Sequence, residues 1–163
     1  MRLYHYTSLG HLPLILGSSL ARGDVPVGAH GDGSETGVWF TTDPEPAGHG
    51  LASGEMVTVH EPGEAPRQVP TVDKREVRIT VVIPSTDRRL QRWLPWTRKR
   101  LGADVVERLV SSGGGKRKAE TWFVYLGTIE PARFAAVEIR RGDGTFTRAT
   151  AEEIAAIEPH DID

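Results

Sequence analysis

Arg2-Leu3-Tyr4-His5-Tyr6-Thr7-Ser8-Leu9-Gly10-His11-Leu12-Pro13-Leu14-Ile15-Leu16-Gly17 changes its period part-way along. The aromatic-rich residues 2–6 predict a short strand. Over residues 10–17, Leu12, Ile15 and Leu16 recur at helical spacing. Pro13 fits there only in a first turn, where its missing N–H is not needed. Gly17, Ser18 and Ser19 end the helix. A second strand is predicted over 37–42, Gly37-Val38-Trp39-Phe40-Thr41-Thr42, stopped by Asp43-Pro44. The first two strands therefore flank a helix.

Further along, Val77, Ile79, Val81 and Ile83 alternate, which predicts a strand over 76–83 with one buried face. Strands are also predicted over 121–126 and 134–140, and a weaker one over 56–60. Residues 145–148 can pair with the 134–140 strand through the turn Gly142-Asp143-Gly144. Residues 23–36 are rich in Gly and Asp, and 61–70 hold Pro62, Pro66 and Pro70, so both read as loops. A short helix is expected over 47–53. Helical stretches are expected over 87–100 and 103–110, with breaks near Pro95 and Gly102. Gly113-Gly114-Gly115 reads as a hinge, and 151–157 as a short terminal helix. Strands outnumber helices, and the regular alternation of a doubly wound fold is missing. The expectation is one α+β domain over 1–163.

With 163 residues, 38% of them hydrophobic, the chain can bury a single core. It has no cysteine, which excludes disulfides, thiolate nucleophiles and cysteine-ligated metals. Its longest apolar runs, such as 12–16 and 81–83, are far too short to span a bilayer. Residues 1–5 show no apolar leader segment. A cytoplasmic protein without a membrane partner is expected. The net charge of −2 conceals a basic block: residues 74–118 hold thirteen Lys/Arg against four Asp/Glu, a net of +9. The block reads as a basic, partly helical insertion. It can attract an anionic partner, or be a solvated face of arginines lying over apolar neighbours. The glycine-rich nucleotide loops, His-Glu-x-x-His and Gly-x-Ser-x-Gly are absent, and the six histidines have no metal-ligand spacing.

Three separated pieces remain. The first is Leu3-Tyr4-His5-Tyr6-Thr7-Ser8 with the helix after it. The second is Gly37-Val38-Trp39-Phe40-Thr41-Thr42 followed by Ala47-Gly48-His49. The third is Ala119-Glu120-Thr121-Trp122-Phe123-Val124-Tyr125, followed by Gly127-Thr128-Ile129-Glu130-Pro131 and Phe134. In this order they resemble the ADP-ribosyltransferase superfamily, closest to its His-Tyr-Glu branch of diphtheria-toxin-like toxins and poly-ADP-ribose polymerases. The pieces look like that branch's His-Gly-Ser/Thr strand, its Gly-x-Tyr-Phe/Ser strand and its Glu-aromatic-x-Val strand. Residues 120–134 also resemble bacterial toxin relatives, whose catalytic Glu opens a strand ending in Ile-x-Pro. The resemblance covers the N-terminal third and 119–139. The basic block lies outside it.

The resemblance implies a split β-sandwich of two small sheets around an NAD cleft, with flanking helices. NAD is the implied co-substrate, and His5, Trp39 and Glu120 are expected to line one cleft. Glu120 is the implied catalytic carboxylate, opposing the positive charge that develops on the ribose as the nicotinamide bond breaks. His5 is expected on the adenosine ribose, and the main chain at Tyr6 and Thr7 on the nicotinamide amide. Trp39 takes the place of one stacking ring. His49 is the candidate for the second, one residue short of the family's spacing. Arg22 is the candidate for the pyrophosphate. Arginine-modifying relatives carry Glu or Gln two residues before the catalytic Glu; here that residue is Lys118. This argues against an arginine acceptor and, with the basic block, for an anionic macromolecule, nucleic acid or protein. The implied role is a toxin or defence effector, with a cognate inhibitor or antitoxin as a further partner.

Each residue also has a plainer reading. His5 and Trp39 can be core residues, Glu120 and Arg22 surface charges, and His49 incidental. Other functions use the same residues. An NAD glycohydrolase would use the same site with water as acceptor. A metal-independent ribonuclease would use His5 or His60 with Glu120. A nucleic-acid- or protein-binding module would use the basic block alone.

Overall fold

The chain begins with strand β1 (Arg2–Thr7) and helix α1 (Leu12–Gly17), whose Pro13 lies in the first turn as expected. A computed structural model describes residues 1–21, 37–63 and 65–159. Strand β2 (Gly37–Thr41) is followed by a two-stranded ribbon, β3 (Met56–Val59) and β4 (Arg67–Pro70), and then by β5 (Val77–Val82). Next come β6 (Leu90–Arg92) and helices α2 (Trp93–Arg98), α3 (Ala103–Ser112) and α4 (Lys116–Ala119). Strand β7 (Trp122–Leu126), a 3₁₀ turn at Pro131–Arg133, β8 (Phe134–Arg140), β9 (Phe146–Arg148) and α5 (Ala151–Ala155) complete the described chain. The main sheet runs β6-β7-β2-β1-β5-β8-β9, antiparallel throughout. The protein is α+β.

Directly opposed residues share a sheet face. Leu3 faces Val81, His5 faces Ile79 and Thr7 faces Val77, while Val38 and Phe40 face Tyr125 and Phe123. These apolar side chains form the main core with Leu12, Leu20, Ile83 and Ile129. Ile15 and Leu16 of α1, and Ile154 of α5 with Ile157 just beyond it, pack against that core. Each fully buried side chain of this size contributes about 1.5–3 kcal/mol. On the opposite face, α2–α4 cover the β6-β7-β2 half. There Trp93, Val106, Ala119 and Trp122 cluster with Trp39 and Leu109, and Trp96 packs on Val124.

The sheet is divided. β1 pairs with β5 along all its residues, and β2 pairs with β7 along all of its own. Between β1 and β2 only Tyr4 and Thr41 are in register. Beyond that rung the strands part towards Thr7 and Gly37. The halves β6-β7-β2 and β1-β5-β8-β9 are thus laddered at a single rung, while their side chains share one core.

Several expectations need correction. Residues 47–53 are not helical, because Gly48 and Gly50 adopt φ of +74° and +68°, outside the right-handed helix region. Residues 67–70, expected as loop, form β4, with Pro70 as its terminal residue, where a missing N–H is tolerated. Residues 90–92, expected as helix, form an edge strand on β7, and the helix begins only at Trp93. The glycines at 113–115 do not read as a hinge. A Cβ on Gly114 would stand 2.0 Å from the Gly48 carbonyl oxygen, so they let two backbones approach closely. Nor is the basic stretch 74–118 an insertion, since it supplies β5, next to β1 in the sheet.

Candidate functional site

The three pieces lie on neighbouring strands, β7, β2 and β1. His5, 6% exposed, sits at the division of the sheet. Its Nδ1 lies 2.9 Å from the Trp39 carbonyl oxygen, and its ring meets Phe40 edge-on at 5.9 Å. A carbonyl only accepts, so Nδ1 carries the proton and donates it. The bond spans β1 and β2 where ladder pairing has ended. Just beyond, the Ser8 hydroxyl is fully buried and has no hydrogen-bond partner among the described residues.

Tyr6 points to the other face. Its hydroxyl donates to the Asp43 carbonyl oxygen at 3.1 Å, and its ring stacks on His49 at 6.4 Å. Burial pushes the phenol pKa up, so the group stays neutral. His49 is itself buried. Its Nδ1 accepts from Trp122 Nε1 at 2.7 Å. An indole only donates, so the His49 proton resides on Nε2, 3.5 Å from Asp43 Oδ2. Burial, reinforced by the Lys118 ammonium, lowers the His49 pKa to about 4. The ring is neutral at pH 7.

Trp39 is half-buried and packs edge-to-face on His49 at 5.6 Å and on Trp122 at 6.0 Å. Trp39 and His49 therefore touch one another, and no ring-wide slot lies between them. The two-sided sandwich implied by the resemblance is not formed by this pair. His5 and Trp39 meet through a main-chain carbonyl, but their side chains lie on opposite sheet faces, which corrects the expectation that both line one cleft with Glu120.

Glu120 is exposed and caps the C-terminus of α4; the strand opens two residues later, at Trp122. The turn beneath it is held firmly. The Asp43 amide donates to Thr41 Oγ1 at 3.0 Å, and Thr41 and Thr121 share a hydroxyl contact of 2.8 Å. Thr121 donates its only hydroxyl proton to the Lys118 carbonyl at 2.7 Å, so Thr41 must be the donor to Thr121. The Thr42 amide also donates to the Thr121 carbonyl at 3.0 Å. Lys118 Nζ lies 2.5 Å from Asp43 Oδ2. Partial burial acts to raise the Asp43 carboxyl pKa, but the Lys118 ammonium holds it below its ordinary value. This corrects the reading of Lys118 as an acceptor-facing cation: its charge is engaged by Asp43.

Sequence reasoning assigned no role to Ser8, Thr41, Asp43, Thr121 or Trp122, although all lie in or beside the motif pieces. Thr121→Val removes the middle link of the hydroxyl chain. It should lower stability by about 1 kcal/mol. In a urea double-mutant cycle, adding Thr41→Val should cost less than the sum of the single changes, because the two hydroxyls share one chain. Strict additivity would show that they act separately.

Arg22 lies outside the described residues, as does the loop expected over 23–36. An open hollow of about 620 Å³ occupies α3, lined by Asp104, Glu107, Arg108, Ser111 and Ser112, none of which belongs to the three motif pieces. Among the described residues no three His, Asp or Glu are grouped to hold a metal ion, and no helix is long and apolar enough to cross a membrane. Fold and site together define an α+β protein with a divided antiparallel sheet and a His–Trp–Asp–Lys cluster, buried at His49 and Trp122 and partly exposed at Asp43 and Lys118. The chain matches no family model, no curated protein and no solved structure.

Proposed function

We propose that this protein is an NAD-dependent ADP-ribosyltransferase acting on a macromolecular acceptor, of the toxin or defence effector type. One observation carries the reading: three motif pieces far apart in sequence occupy three adjacent strands, and the sheet divides between the first two. In this reading the two halves are the two small sheets of the ADP-ribosyltransferase fold, and NAD binds where they part.

His5, held by the Trp39 carbonyl, lies beside a ribose hydroxyl of the bound NAD. The main chain at Tyr6 and Thr7 takes the nicotinamide amide, and the buried Ser8 hydroxyl, without a hydrogen-bond partner among the described residues, suits a polar ligand group at the same place. Trp39 stacks on one face of the nicotinamide only. His49, packed beneath it, orients the indole. As the bond from ribose to nicotinamide breaks, nicotinamide leaves with the bonding electrons and positive charge develops on the ribose. The Glu120 carboxylate opposes that charge and takes the proton of the attacking acceptor group.

The test is nicotinamide release from NAD, followed with and without added protein and nucleic acid. Release coupled to ADP-ribose on an acceptor is expected. Release with free ADP-ribose alone would make the protein an NAD glycohydrolase, and no release under any condition would end the reading.

A further inference from the structure

Edge strand β6 and helices α2–α4 carry the chain's positive charge outward. Residues 88–118 hold ten Lys/Arg and two Asp/Glu, a net of +8 in a chain of −2. Ten of the thirteen basic residues of the wider block fall into two groups. Arg75, Arg78, Arg89 and Lys118 pair with Asp73, Glu138, Asp87 and Asp43. Arg88, Arg98, Lys99, Arg108, Lys116 and Arg117 are exposed, and among the described residues no carboxylate forms an ion pair with them. The two acids, Asp104 and Glu107, lie on α3 beside Arg108, so the excess concentrates on β6, the end of α2, and α4.

Helix capping accounts for part of this arrangement. Cations at the C-terminus of α2 are favoured by about 0.3–1 kcal/mol each. Arg100 also stacks on Trp96 at 4.2 Å, and Arg92 lies over Phe123 at 5.7 Å. Neither stacking nor the C-terminus of α2 reaches Arg88, or Lys116 and Arg117 on the single-turn α4. Arg98 and Lys99, adjacent and exposed at the end of α2, repel one another unless an anion lies against them.

The kind of anion follows from what the surface lacks. Protein interfaces are anchored by apolar and aromatic side chains. Among the described residues the large exposed hydrophobic ones are Met1, Leu14, Met56, Val57 and Val82, none of them on β6, α2, α3 or α4. Its tryptophans, Trp93 and Trp96, are 3% and 5% exposed and cannot stack on bases. Exposed guanidinium and ammonium groups without anchors or stacking rings suit a phosphodiester backbone, gripped without base readout. We propose that the surface of β6, α2 and α4 binds the phosphate backbone of a nucleic acid. It rests on the transferase reading only in making this the acceptor's seat.

The experiment uses the full chain without NAD, so it stands or falls separately from nicotinamide release. Binding of labelled 20-nucleotide single-stranded RNA, its DNA equivalent and the DNA duplex is measured from 50 to 300 mM salt. Affinity should fall linearly with salt on logarithmic axes. Arg98→Gln/Lys99→Gln/Arg100→Gln should weaken binding about tenfold or more at 50 mM salt and lower the slope by about 2–3. Arg88→Gln/Lys116→Gln/Arg117→Gln avoids the packed Arg100 and should act similarly. A control of equal charge change at other exposed sites, Arg2→Gln/Arg140→Gln/Arg148→Gln, should retain most of the affinity. The three probes identify the nucleic acid. No binding at 50 mM salt, equal losses in the lobe and control triples, or polyglutamate bound as tightly as RNA and DNA would each overturn the assignment.

Discussion

Glu120→Gln is expected to release nicotinamide from NAD about 10²-fold more slowly than the parent protein, with NAD affinity almost unchanged. The substitution keeps the size and hydrogen-bonding capacity of the side chain and removes its charge. That charge matters little to bound NAD and much to the ribose as it becomes positive, so the loss falls on turnover. The fold should persist, because Glu120 is exposed at the end of α4 and its neighbours are tied by main-chain and threonine bonds that do not involve its carboxylate. A matched urea midpoint would establish this. Asp43→Asn is the useful contrast. It breaks the tie to Lys118, so stability and turnover should fall together, whereas Glu120→Gln should separate them. A Glu120→Gln protein working at the parent rate would remove this residue from the mechanism. A ribonuclease would instead lose RNA cleavage in the variant while the parent left NAD untouched.

Strands with forced residue types were legible in the sequence. Val77, Ile79 and Val81 alternate because one face of β5 lies in the core, and that pattern located the strand to within a residue. The same holds for β1, β2, β7 and β8. Elements defined by a partner were not legible. Leu90-Gln91-Arg92 is a strand because β7 offers it an edge, and three residues carry no period of their own. Helix α4 is only four residues long and gives no periodic signal either. Within the site, His5 and Trp39 could be chosen by residue type, but the hydrogen bond through the Trp39 carbonyl left no trace in side-chain chemistry. The pairing of Asp43 with Lys118 spans 75 positions, a separation at which a single sequence gives no contact signal. Lys118 was therefore read only as a positive charge favouring an anionic acceptor, not as the partner of Asp43. The start of β7 was read one residue early, at 121, for a similar reason: the apolar run Trp122-Phe123-Val124-Tyr125 marks a strand, but not the turn that precedes it.

Acid should weaken this fold before its carboxylates are protonated, and His49 is the reason. In the folded protein its pKa is lowered to about 4, chiefly by burial; in the unfolded chain it returns to 6.5. As pH falls through that interval the unfolded chain takes up a proton and the folded protein does not, so stability declines. Below about 4 both states are protonated and this loss levels off. The difference corresponds to about 3 kcal/mol. The Asp43 carboxyl, held below 3.8, contributes its own loss at lower pH, as do Glu55 and Glu153, held at about 2. Those windows lie beneath the one assigned to His49. His49→Asn can keep an acceptor for Trp122 Nε1 but has no proton to gain. It should start less stable at pH 7, through lost ring packing against Tyr6 and Trp39, and then decline much less between pH 6.5 and 4.5. Urea midpoints for both proteins across that range decide the matter. A flat parent profile, or a variant with the parent's slope, would mean that His49 is already protonated where it sits, and that the tie from Trp122 through His49 to Asp43 is not the one described.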